Sequence, residues 1–234
     1  MRKVLVVFLI LLVGGALVAD RLAVNRAEAE IGRQIATQYN LTTQPDVTIH
    51  GFPFLTQAIG GEYDQIDVAI GDWTDQGIEV KDVRAEMHGV SAPLGDVVNG
   101  DTSGITVRTA VASAVVPFEA LKKRAPQGVR SISAKGPDVQ VEGNIAMLGV
   151  SADVTMVVSV RATAQGIAIT PRSVGASGTG VQVPLSLVRQ RLSWTVPIRD
   201  LPVGSRISKV EVTPTGLRVS ATAENVKLND LENA

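Results

Sequence analysis

Across residues 150–161 the apolar side chains fall on every second position. Val150, Ala152, Val154, Met156, Val158 and Val160 alternate with Ser151, Asp153, Thr155, Ser159 and Arg161, and only Val157 breaks the pattern. A period of two marks a strand with one apolar and one polar face, because successive side chains leave a pleated backbone on opposite sides. The same period recurs along most of the chain. Ile66, Val68 and Ile70 alternate with Gln65, Asp67 and Ala69, and Ile105, Val107, Thr109, Val111, Ser113 and Val115 form another such set. Val210 and Val212, then Leu217, Val219, Ala221 and Ala223, flank Thr213-Pro214-Thr215-Gly216, a hairpin signature. Ile78 and Val80 begin a further alternation that resumes one step out of phase at Val83, Ala85 and Met87. One extra residue restores the phase, so a β-bulge is expected near Lys81 and Asp82.

Each of these strands must bury one face, and the sequence offers little to cover them. Residues 118–124 follow Pro117 and read as a short helix, with Phe118 and Leu121 on one side and a basic end that suits the helix dipole. Residues 185–194 carry Leu185, Val188 and Leu192 at helical spacing, with Arg189 and Arg191 turned away. Residues 175–180, Gly-Ala-Ser-Gly-Thr-Gly, read as a loop. The expected fold is therefore α+β: a long, strongly curved, mostly antiparallel sheet that folds around its own apolar face and wraps the helices. No linker or shift in composition divides residues 46–230, which read as one domain.

The N-terminus is of a different kind. Arg2 and Lys3 precede an uncharged, almost wholly apolar run over residues 4–19, closed by Asp20 and Arg21. As a helix the run rises roughly 24 Å, short of the roughly 30 Å hydrocarbon core yet longer than a usual signal segment. Cleavage after Ala19 would put Leu17 where a small residue is wanted, so residues 1–20 read as an uncleaved signal anchor, with a cleaved, secreted form as the alternative. Arg2 and Lys3 stay in the cytoplasm by the positive-inside rule, which puts the rest of the chain outside. Residues 20–39 continue as a helix, with Leu22, Ala29, Ile31, Ile35 and Ala36 near helical spacing, so residues 21–45 read as a stalk that packs on the domain.

In a chain only 3% aromatic, residues 47–57 hold two of the four phenylalanines. Val47-Thr48-Ile49 ends a strand, and Gly51-Phe52-Pro53-Phe54 cannot simply continue it, because Pro53 removes a backbone donor. The two rings are presented from a stiff, bent segment, either as a core plug or as the wall of a binding site.

Basic and acidic residues number 22 and 23, which leaves no broad basic surface for nucleic acid. Cysteine is absent, and with it thiolate catalysis, thiolate metal sites and disulfides. The two histidines, His50 and His88, each precede a glycine; nothing in their spacing makes them neighbours, and they read as turn or strand-end residues. Glu62, Asp64, Asp67, Asp72 and Asp75 lack the ligand spacing of a calcium loop and read as a solvated strand face. No catalytic set, metal site or cofactor is expected. Binding is the better class: a valine-rich sheet curled on itself supplies a dry channel, and an acyl chain of about sixteen carbons needs one worth roughly 10 kcal/mol to leave a bilayer.

Four segments in order, VTIHGFPFLTQ, GGEYDQIDVAI, HGVSAPLGDVVNG and LPVGSRISKVEVTPTGLRVSATAENVKL, resemble the LmeA-like phospholipid-binding family. These are cell-envelope proteins of actinobacteria, and the resemblance covers residues 27–228. It implies an extracytoplasmic phospholipid-binding domain similar to tubular lipid-binding folds, in which a curved sheet wraps a helix and an apolar cavity. It also implies a link to elongation of mannan on membrane lipoglycans, and it brings no catalytic residues. The expected cavity lining is Phe52, Phe54, Leu55, Val154, Met156, Val158, Leu185, Val188 and Leu192. Trp194 is expected at the mouth, with Arg189 and Arg191 facing the phosphate. The expected partners are phospholipid and, through the N-terminal helix, the membrane. The alternative is a non-catalytic scaffold for cell-envelope enzymes, its apolar face consumed by its own core.

Overall fold

A computed structural model describes residues 2–75, 78–93, 95–96, 103–123, 125, 127–147, 150–163, 166–177, 193–197, 204–227 and 229. The longest element is helix α1, Arg2–Gln38, which carries the apolar run and the polar segment after it without a break. Strand β1, Asp46–His50, and helix α2, Phe54–Gly60, follow. Then come β2, Glu62–Asp75, β3, Ile78–Ser91, β4, Thr106–Pro117, and helix α3, Phe118–Lys123. The remainder is β5, Val129–Lys135, β6, Asp138–Met147, β7, Val150–Thr163, β8, Gly166–Ser177, β9, Trp194–Pro197, β10, Ser205–Val212, and β11, Gly216–Lys227.

The fold is α+β, and its strands divide between two antiparallel sheets. A six-stranded sheet runs β1-β2-β3-β4-β11-β10, and a five-stranded sheet runs β5-β6-β7-β8-β9. Two expectations are corrected here. Gly175, Ala176 and Ser177 belong to β8, where they pair with Thr155, Val154 and Asp153, so the glycine-rich run begins as strand rather than loop. Trp194 opens β9 opposite Ile169 rather than closing a helix. Residues 178–192, with the rest of that expected helix, lie outside the described residues.

Helix α1 packs on the β1 end of the first sheet. Val24 is buried, and Ala23, Ala27, Ile31 and Ile35 pack beside it on a core of Val47 and Ile49 from β1, Phe54 from α2, Ile66 and Val68 from β2, and Val90 and Val107. The spacing of those helix positions is that of one apolar stripe. Gly32 lies where a Cβ would come within 2.7 Å of the Pro45 carbonyl oxygen, so only glycine lets the helix approach the start of β1 so closely. A second core holds the two sheets together. Phe118 from α3 and Leu217 from β11 meet Val139, Val141, Met156 and Val158 from β6 and β7, and β10 packs across β7.

The phase slip in β3 is a bulge, as the alternation requires. Its register against β4 shifts between Lys81 and Arg84, and Asp82 takes the left-handed conformation at φ 50. Such a conformation costs a non-glycine residue roughly 1–2 kcal/mol. Asp82 offsets this by clamping three strands. Its carboxylate accepts hydrogen bonds from Arg218 on β11 and Arg84 on β3, each at 2.7 Å, and its N–H donates to the Asp72 carboxylate on β2 at 3.2 Å. The Arg218 hydrogen bond, helped by Arg84, holds the Asp82 carboxyl below its ordinary 3.8. A depressed carboxyl stabilises the fold above its unfolded value and loses that contribution as pH falls through the folded one. Stability is accordingly expected to drop below about pH 4, and less so in Asp82→Asn. In chemical denaturation at neutral pH, Asp82→Ala is expected to cost about 1–2 kcal/mol, allowing for the solvent around these charges. Asp82→Gly should recover about 1 kcal/mol of it, since glycine adopts the left-handed region freely.

Candidate functional site

Gly51 turns the chain out of β1 at φ 102, and the Phe52–Pro53 peptide is cis. Pro53 then caps α2 from an extended conformation. The two phenylalanine rings lie in different environments. Phe54, 7% exposed, is buried in the first core and tilted on Tyr63 with ring centroids 6.3 Å apart. Phe52, 58% exposed, lies at the surface with the Arg21 guanidinium 5.0 Å from its ring centroid. Leu55 is exposed beside it.

The loop is bolted to α1 through a buried charge. Asp20, the first residue after the apolar run, is 2% exposed. Its Oδ1 accepts the Leu55 N–H at 2.9 Å, which satisfies one of the free donors at the start of α2. Its Oδ2 lies 3.3 Å from Arg21 Nη2, an ion pair without the alignment of a hydrogen bond. Glu28, two turns on, accepts the Ile49 N–H at 2.8 Å. The carboxylates along α1 thus serve backbone donors of β1 and α2.

Val154, Met156 and Val158 are buried and share one face of β7. Met156 and Val158 belong to the second core, whereas Phe54 belongs to the first, so these expected lining residues fall into separate clusters. Trp194 begins β9, while Leu185, Val188, Arg189, Arg191 and Leu192 lie outside the described residues.

Between the two cores lies a strip that the valine pattern concealed. Pairing sets Ala85 on β3 opposite Ala112 on β4, and Ala112 opposite Ala221 on β11. The next rows are Met87, Ala110 and Ala223 on one side, and Ala114 with Val219 on the other. Directly opposed residues share a face, and this one runs from Ala223 in the first core to Leu217 in the second. In its middle Ala112 is exposed, and Ala85, Ala114, Val219 and Ala221 are only partly buried. The strip is apolar, built of small side chains and only partly covered. Val107 and Val115 of the expected β4 alternation are buried, while register lines Ala110, Ala112 and Ala114 up with Ala223, Ala221 and Val219 of β11.

Strand pairing also brings the histidines closer than their spacing indicates. His50 and His88 flank Gln65 in one row of β1, β2 and β3. His50 Nε2 lies 2.7 Å from an Asp67 carboxylate oxygen, and Gln65 donates to the other at 2.8 Å. Burial pulls the Asp67 carboxyl upward, but the hydrogen bonds from Gln65 and His50 outweigh it and hold the carboxyl below its ordinary value. Among the described residues no group of three His, Cys, Asp or Glu side chains comes together as a metal site.

The two-sheet domain carries a half-open apolar strip and, among the described residues, is preceded by one helix long and apolar enough to cross a membrane. Over residues 18–222 the sequence matches the profile described as LmeA-like phospholipid-binding, and the chain belongs to that family. No curated protein and no solved structure matches it. The family is characterised by lipid binding rather than by a reaction.

The separation of the two rings has a measurable consequence. Phe54→Ala should lose about 3–5 kcal/mol in chemical denaturation, as for a ring removed from a packed core. Phe52→Ala should lose no more than about 1 kcal/mol, the worth of an exposed cation–π contact.

Proposed function

We propose that this chain is a membrane-anchored phospholipid-binding protein that faces away from the cytoplasm and holds acyl chains along the alanine strip between its two cores. The observation that carries this reading is the strip itself: a partly open apolar face with small side chains, in a member of a phospholipid-binding family. Met156 and Val158 close one end of this path and Phe54 supports the other, with Val154 further along β7. Leu185, Val188, Leu192 and Trp194 complete the lining in this proposal, and Arg189 and Arg191 face the phosphate. Phe52 and Leu55 belong to the surface beside the anchor.

The flanking charge of the apolar run supports the orientation. Arg2 and Lys3 precede the apolar run, and positive flanking charge stays on the cytoplasmic side. The helix then carries the chain straight into the domain, so the bound lipid and the bilayer are neighbours. Binding without turnover suits a supply role in cell-envelope lipid or lipoglycan synthesis, mannan elongation included.

Full-length protein released from detergent micelles in a native mass spectrometer tests the proposal after incubation with phosphatidylglycerol. A phospholipid adduct that survives micelle removal is expected. Ala112→Trp fills the middle of the strip at an exposed position and should lower adduct occupancy roughly tenfold, the effect of removing about 1.4 kcal/mol of binding, while the melting temperature stays unchanged. No adduct on the parent chain, or equal adducts on both chains, contradicts it.

A further inference from the structure

The apolar surface does not stop where the membrane segment ends. Ile59 on α2 is 79% exposed, Leu55 lies one turn before it on the same face, and Phe52 is exposed just ahead of the helix. Three exposed apolar side chains this large are gathered in an eight-residue stretch, whereas the other exposed large apolar side chains among the described residues fall almost entirely on α1. Their position is fixed. Leu55 is hydrogen-bonded to Asp20, the residue that closes the apolar run, and Leu17, one turn before Asp20 on α1, is itself exposed. The apolar surface of the membrane segment therefore passes directly into that of the loop and α2.

Length brings this patch to the bilayer. The run over residues 4–19 rises roughly 24 Å against a hydrocarbon core of roughly 30 Å, and a short span draws its flanking residues toward the boundary. No spacer holds the domain away, because Asp20 is already buried in it. From Leu55 to Ile59 the helix advances only about 6 Å, which keeps the patch within the depth of about 5–10 Å that interfacial helices occupy. Arg21, stacked on Phe52, presents a guanidinium at the height of the phosphates, where a long basic side chain beside apolar surface is at home.

We propose that Phe52, Leu55 and Ile59 form a bilayer-docking face that lies in the membrane beside α1 and sets the domain at a fixed angle to it. The inference rests on the reading of α1 as a retained anchor. It turns the domain from a body tethered by one helix into one held at two places, so that the route between its alanine strip and the bilayer is short and constant.

The absence of cysteine lets a single introduced thiol carry a unique nitroxide label. Full-length Leu55→Cys, Ile59→Cys and, as a control on exposed β5, Lys135→Cys are each labelled and reconstituted into phosphatidylcholine vesicles. Collision rates with oxygen, which concentrates in lipid, and with a water-soluble nickel chelate are then compared. The expected oxygen-to-nickel ratio is several-fold higher at positions 55 and 59 than at 135. Equal ratios at all three positions, in protein that floats with the vesicles, overturn the docking face and leave the anchor standing. Protein that does not float overturns the anchor and the docking face together, while phospholipid adducts in the mass spectrometer are judged separately.

Discussion

The buried carboxylate of Asp20 is the joint on which the rest of the molecule turns. A charge 2% exposed is costly unless it is hydrogen-bonded, and here it holds the first turn of α2 to the helix that carries the membrane segment. Glu28 repeats the device on β1, Gln44 Nε2 donates back to the Ala29 carbonyl at 2.9 Å, and Gly32 permits the close approach between them. These contacts seat the polar half of α1 on the first sheet, beside the seven-residue α2. The polar half of α1 and the domain are one packed object, and that half of the helix is a structural part of the fold.

The second consequence is a division of apolar surface into filled and unfilled parts. Two cores take the large side chains: Val, Ile and Phe under α1, and Phe118, Met156 and Leu217 where the sheets meet. The strands that run from one core to the other carry alanine on the shared face, so that stretch is apolar without being packed solid. A fold optimised only for stability would fill it, since each buried methylene contributes about 0.8 kcal/mol. A fold that holds a lipid leaves that contribution to the lipid.

Several features were legible in the sequence because a single physical period controlled them. The slip between Val80 and Val83 shows as a bulge at Asp82 because a strand cannot shift phase without an extra residue. The Thr213-Pro214-Thr215-Gly216 turn joins β10 to β11 as its residue types require. The continuity of α1 follows from an unbroken helical stretch lacking proline. Other features were hidden for equally physical reasons. Helix α2 spans two turns, too few for a period to emerge, and it begins behind a proline that reads as a strand breaker. Gly175 becomes strand because Thr155 offers it a partner, a tertiary fact. Ala112 and Ala221 carry too little hydrophobicity to register beside valine, yet their smallness is what opens the strip. Asp20 looked like the charged end of a membrane segment; only the neighbouring Leu55 N–H makes it a buried cap.

The most direct measurement is photo-crosslinking within the membrane itself. A phospholipid with a diazirine near the end of one acyl chain is irradiated in vesicles that hold the full-length protein, and the modified peptides are mapped by mass spectrometry. Adducts are expected on β4 and β11 around Ala112 and Ala221, beyond those on the apolar run of α1 that any membrane helix collects. Adducts confined to α1 contradict the account, because the strip between the cores is then a surface that no acyl chain reaches.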